Sequence, residues 1–159
     1  QQIQHHNIMK AINEKGTIKT FSTLKSYGGM MGLQYASDEK LKEIGFHDVV
    51  IPATKASEEL GQIKWDSKNG VFTYPVKNKT YSATLAEMKD SAIQNLKSQA
   101  NTELAKTDWY IVRKADTGAE IPTDISDARA AIRSTVDTKE AEIKKLTSKA
   151  KVVDYDLSL

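Results

Sequence analysis

Three histidines, a few acidic pairs, one glycine-rich run and three arginines are the residues here whose chemistry deserves weighing first. His5 and His6 are adjacent, so a helix cannot turn both toward one ion, and His47 has no partner at a metal-ligand spacing. His47 and Asp48 are neighbours in an expected strand; alternation sends them to opposite faces and argues against a joint acid–base role. Asp38-Glu39 opens an expected helix and Glu58-Glu59 falls in an expected loop, where dipole complementarity and solvation account for them. Gly28-Gly29-Met30-Met31-Gly32 follows no clear apolar strand and has no Lys-Ser/Thr ending, so it lacks the frame of a phosphate cradle. Gly-x-Ser-x-Gly and His-Glu-x-x-His do not occur. With no cysteine there is no thiolate nucleophile or ligand. The expectation is a chain that is not an enzyme and carries neither cofactor nor metal.

The arginines are more informative. Arg113, Arg129 and Arg133 all lie in the C-terminal half, whereas residues 1–80 use only lysine as a full-time cation. Arg129 and Arg133 are four apart and share a helix face. Their planar donor forks suit a buried or interfacial carboxylate or carbonyl, which Asp108 or Asp116 could supply. Such a clamp would tie the segment around Asp108 to the helix, or dock a subunit. Arg133→Ala is expected to weaken either folding or assembly by the ~1–3 kcal/mol of a charge-assisted bond left unpaired. Trp109 and Tyr110 are large anchors with polar tips, expected to pack across a pair of helices.

The elements that must position these residues read as follows. Residues 8–12 repeat apolar positions four apart and run into Gly16, which predicts a short helix or a docking arm; 17–24 is expected to be extended. Ser37 caps a two-turn helix that Gly45 stops, and 46–51 follows as a β-branched strand ending at Pro52. Residues 62–65 and 71–76 form a hairpin across Asn69-Gly70, with Phe72, Tyr74 and Val76 expected on one face. Leu85, Met88, Ala92, Leu96, Ala100 and Leu104 mark a long amphipathic helix with Thr84 and Glu87 as a capping box. A connector over 107–113 leads to a second helix. In it Ile132, Val136, Lys139, Ile143, Leu146 and Ala150 step by four and three, as in a heptad. The two helices fold back as an antiparallel hairpin or, on the heptad phase, contribute to a coiled coil between chains.

The expected architecture is therefore α+β. An N-terminal arm (1–36) precedes a small antiparallel β-unit with a short helix (37–81), a helical hairpin (82–151) and an extended tail (152–159) that could add a strand to a neighbour. Composition agrees with a modest core: 159 residues, 39% hydrophobic and 28% charged. A net charge of +2 gives no field for nucleic acid, and only Lys64, Lys68 and Lys77 surround the aromatic hairpin. No apolar run approaches the ~20 residues of a membrane span, and the start shows no basic, then apolar, signal pattern. A sugar-binding or hydrolytic module would need clustered carboxylates or an aromatic platform, for which Trp65, Tyr74 and Tyr81 are the candidates.

One stretch resembles a known group. Leu104-Ala-Lys-Thr-Asp-Trp-Tyr-Ile-Val-Arg-Lys-Ala-Asp-Thr-Gly-Ala-Glu-Ile-Pro-Thr-Asp-Ile125, followed by Arg129-Ala-Ala-Ile-Arg133, resembles the C-terminal region of small tail proteins of tailed bacteriophages. In these a helix ends in Thr-Asp-Trp and a Pro-initiated helix carries two arginines. Upstream, Leu41-Lys-Glu-Ile-Gly-Phe-His-Asp-Val-Val-Ile-Pro52, Leu60-Gly-Gln-Ile63 and Val71-Phe-Thr-Tyr-Pro-Val76 are similar to the small β-unit that precedes that region; the likeness spans 38–136. It implies a virion protein of the tail, fibre or baseplate, in the host cytoplasm only during assembly. Other tail proteins, in a homo-oligomeric or symmetric arrangement, would be its partners. Asp108, Trp109, Arg129 and Arg133 would be structural or docking residues. The competing expectation is an assembly chaperone absent from the mature particle.

Overall fold

The computed structural model describes residues 9–159 and has an α+β fold. The chain divides into two compact units, the first ending at Asn78 and the second running from Lys79 to Leu159.

In the first unit, strands β1 (Lys10–Glu14) and β2 (Thr17–Phe21) pair antiparallel through a two-residue turn at Lys15-Gly16. Both turn residues have positive φ, 51° and 90°, the conformation whose twist matches a tight hairpin. The short N-terminal helix is thus replaced by a strand, and the residues expected as an arm form one side of a sheet. Apolar spacing over five residues distinguishes helix from strand poorly, and the pairing of Ala11 with both Thr20 and His47 decides it. Gly28 and Gly29, also at positive φ, turn the two-stranded ribbon of β3 (Ser26–Tyr27) and β4 (Met30–Met31). A 3-10 turn (Leu33–Tyr35) leads to α1 (Asp38–Ile44), where Ser37 Oγ accepts from Lys40 N–H and Gly45 ends the helix, as expected.

Strand β5 (His47–Val50) pairs antiparallel with β1 and parallel with β8 (Val71–Thr73). Strand β7 (Lys64–Asp66) completes the order β2-β1-β5-β8-β7. The expected hairpin is β7–β8, with Trp65 opposite Phe72, but it is shorter than anticipated. Only Gly70 of its turn has positive φ. The Asp66 carboxylate supplies the remaining order, accepting from Asn69 Nδ2 at 2.7 Å and from Lys68 N–H at 3.1 Å, which lowers its pKa. Pro75 has no N–H to continue the ladder. Val76 therefore leaves the Phe72 face and joins β9 (Val76–Asn78), which pairs with β6 (Glu58–Leu60), so Glu58 and Glu59 lie in a strand and not in a loop.

Alternation divides the apolar residues between two cores. Phe46, Leu24, Leu33 and Leu41 are buried with Ile12 and Ile44 packed against them, and Phe21, Tyr27 and Phe46 meet edge to face at 5.2–5.7 Å. Ala11, Val49 and Phe72 form the other, with Met9, Ile18, Ile63 and Tyr74. Lys10 bridges Asp38 and Asp48, at 2.6 Å each. Burial pulls its pKa down, but the two carboxylates outweigh this and leave it raised.

In the second unit, α2 (Leu85–Ala105) begins with the expected capping box: Thr84 Oγ1 accepts from Glu87 N–H and the Glu87 carboxylate accepts from Thr84 N–H. The expected connector is helical, α3 (Asp108–Thr117), followed by α4 (Thr123–Lys145). The run 109–112 consists of aromatic and β-branched residues, but Asp108 at the positive helix end and Lys114 at the other favour a helix over their weak strand preference. Helices α2 and α4 are antiparallel, as successive ties show: Lys89 Nζ to Lys144 O, Lys97 to Glu140, and Arg129 to Leu104 O. Between them lie Ala92, Ile93, Leu96, Ala100, Val136 and Ile143. The heptad stripe is thus used within the chain.

The second helix does not continue to Ala150. Leu146 is extended (ψ 140°), and Ser148 caps a new helix, α5 (Lys149–Val153), whose Val152 is buried in the same core. The expected free tail folds back: Tyr155 and Leu157 pack on the core, Tyr155 OH donates to Glu142, and Lys139 Nζ donates to Asp156 O at 2.7 Å. Burial, then the Glu142 carboxylate, pushes the Tyr155 phenol up to about 12.

Candidate docking site

The constellation proposed from sequence divides in the structure. Arg129, only 6% exposed, reaches from α4 to the joint between α2 and α3. Its Nη1 donates to Leu104 O and to Thr107 Oγ1, both at 2.6 Å, and its Nη2 donates to Asp108 Oδ1 at 2.9 Å. One planar fork thereby meets a carbonyl at the end of α2 and a carboxylate in the first turn of α3, a pattern suited to guanidinium and not to a lysine point charge. Asp108, not Asp116, is the partner. Arg129 Nε is buried without a partner, so the clamp is not fully satisfied.

Arg133 takes no part. It is exposed, has no hydrogen bond among the described residues, and lines a shallow groove with Lys97, Asn101 and Asp137. Two residues four apart share a helix face, yet only the one level with the α2–α3 joint finds acceptors there. The loss of stability expected for removal of Arg133 therefore has no structural basis.

Trp109 is also placed differently from expectation. It is not packed across the helix pair but is 52% exposed on α3, with Ile111 and Val112 at 42% and 66%. No residue of α3 is buried. The Trp109 and Tyr110 rings lie 3.9 Å apart, centroid to centroid, and the Arg113 guanidinium sits 4.8 Å from the first and 5.4 Å from the second. This cation–π arrangement orders the ring pair, while Arg113 Nε remains buried and unpaired. Sequence reasoning missed Arg113 in this role. The i, i+4 spacing from Trp109 was a usable signal once the segment is helical.

In the first unit, a cleft of about 340 Å³ is lined by Asn13, His47, Trp65 and Phe72 with Ile12 and Ile44. His47 contacts the Trp65 ring edge to face at 4.5 Å, while its neighbour Asp48 pairs with Lys10; the two do not act together. The aromatic platform anticipated from sequence is not assembled as a trio. Tyr74 packs on the Phe72 core, and Tyr81 belongs to the second unit, where its hydroxyl is buried. His5 and His6 lie outside the described residues. Among the described residues no three His, Cys, Asp or Glu are grouped to hold a metal ion, and no helix is long and apolar enough to cross a membrane.

The second unit thus presents a helix tied at its first turn by Arg129, with an aromatic and aliphatic surface. No known protein family matches the chain, and comparison with curated proteins and with solved structures returns no match.

Proposed function

We propose that this protein is a structural component of a bacteriophage tail, a docking or adaptor part of the fibre, baseplate or tail region. The observation that carries the reading is α3. It holds Trp109, Ile111 and Val112 out of its own unit's core, while Arg129 ties its first turn to the helical hairpin. An exposed, pre-positioned tryptophan beside an arginine has the composition of an interface anchor. The same residues fall in the stretch that resembles small tail proteins. The occupant of this face is another tail protein, offering an apolar pocket for the Trp109 indole.

The test is quantitative mass spectrometry of purified phage particles whose genome encodes the chain. A fixed copy number matching the rotational symmetry of a tail supports the proposal. Absence from particles, with the protein abundant in infected lysate, overturns it in favour of an assembly chaperone. Trp109→Ala should lower incorporation at least tenfold while the far-UV spectrum of the free protein is unchanged; normal incorporation would remove α3 from the interface.

A further inference from the structure

The cleft in the first unit has the chemistry of a small-ligand site that the tail reading neither needs nor explains. We propose that it binds a neutral pyranose unit of a glycan, seated on Trp65. The indole is 40% exposed, yet it is not a loose surface ring. Phe72 holds it from one strand at 5.0 Å and His47 from another at 4.5 Å, both near 63°. A ring fixed in this way where it lines the cleft is preorganised, and little ordering remains to oppose binding. The electron-rich face of an indole attracts the polarised C–H bonds on the apolar side of a sugar ring.

The polar lining selects the ligand class. Asn13 Oδ1 accepts from Gly16 N–H at 3.0 Å, which anchors the amide; its Nδ2 and the two His47 ring nitrogens make no hydrogen bond among the described residues. An amide and an imidazole ring bring nitrogen and oxygen atoms able to hydrogen-bond hydroxyl groups. Among the described residues no Lys, Arg, Asp or Glu lines the cleft, so an anionic or cationic ligand would meet no counter-charge from them. A purely apolar occupant, such as a partner's side chain, would desolvate Asn13 and His47 without satisfying them. The volume is at the lower end of ligand pockets and admits one or two sugar rings.

The experiment is an amide and indole NMR titration of the full chain with methyl glycosides of glucose, galactose and N-acetylglucosamine. Adenosine and glucose 6-phosphate are run alongside. The expected result is saturable shifts at Asn13, His47 and the Trp65 indole for at least one neutral glycoside, with a Kd of order 1 mM. The phosphorylated sugar should bind no better. Trp65→Ala and, separately, His47→Ala should each weaken binding about tenfold or more, with the far-UV spectrum of the chain unchanged. No saturable shift with any glycoside, saturation by adenosine alone, or undiminished binding by both variants would overturn the proposal. None of these outcomes bears on whether the protein is found in particles.

Discussion

Replacing Arg129 by alanine tests the reasoning about the clamp most directly. Its two Nη1 hydrogen bonds go to Leu104 O and Thr107 Oγ1, both part-buried, and hydrogen bonds to a charged donor contribute about 1.5–3 kcal/mol where water cannot replace them. Leu104 and Thr107 are half-buried, so we assign about 1 kcal/mol to each. The Asp108 side chain is 58% exposed, which limits the ion pair itself to about 0.5 kcal/mol. Loss of the buried methylene stem adds about 2 kcal/mol, and release of the unpaired Nε–H returns about 1 kcal/mol. The expected cost of Arg129→Ala is therefore about 3.5 kcal/mol, or about 14–28 °C in the melting temperature of a unit this size. Arg129→Lys keeps charge and stem but not the fork, and should cost about half as much. Asp108→Asn should cost less than about 1 kcal/mol. Urea unfolding of the full chain, followed by far-UV ellipticity dominated by α2 and α4, measures all three. If Arg129→Ala costs under about 0.5 kcal/mol, or Asp108→Asn costs as much as Arg129→Ala, the reading of a carbonyl-centred clamp fails.

Further outcomes are expected from the same measurements. Arg133→Ala should change stability by less than about 0.5 kcal/mol, since the side chain is exposed and unpaired; a loss above about 1 kcal/mol would show a contact the structure lacks. Thr84→Ala should cost about 1 kcal/mol through the lost capping box, and an unchanged urea midpoint would count against it. Hydrogen bonds from Lys144, then from Lys97, hold the Glu140 carboxyl at about 2 against an ordinary 4.5. A depressed carboxyl stabilises the folded state above its unfolded pKa, so this contribution should be lost as pH falls from about 4.5 towards about 2. Glu140→Gln should flatten the pH dependence in that window, and an identical acid profile for the variant would contradict the assignment.

What the sequence made legible were features with local causes. Ser37, Thr84 and Glu87 name their helix starts because each cap satisfies backbone donors within one turn. The sequence could name Arg129 or Arg133 as the donor and Asp108 or Asp116 as the acceptor, because planar donor forks seek carboxylates, but the choice among them needed the fold. What stayed hidden depended on distant partners. Residues 10–14 became a strand because β5, far along the chain, offered an edge, and the parallel pairing of β5 with β8 leaves no signature in either segment. In α3, strand-favouring residues were overruled by charges at the helix ends and by the absence of any sheet edge to receive them. Arg133 and Trp109 show the limit for sites: residue type and spacing named both, but only packing could tell the clamp from the exposed face.

The place of β5 at the centre of its sheet also sets an order of events in folding. One edge of β5 waits for β1, made earlier, and the other for β8, made later, so the sheet closes only after two long loops have been brought together. The backbone hydrogen bonds of α2 and α4 each join residues four apart, and α2 carries its own capping box. Sheets assembled from distant pairings form more slowly than local helical contacts. Pulse-labelled hydrogen exchange should thus find amides of α2 and α4 protected before those of β5, even though the first unit leaves the ribosome earlier.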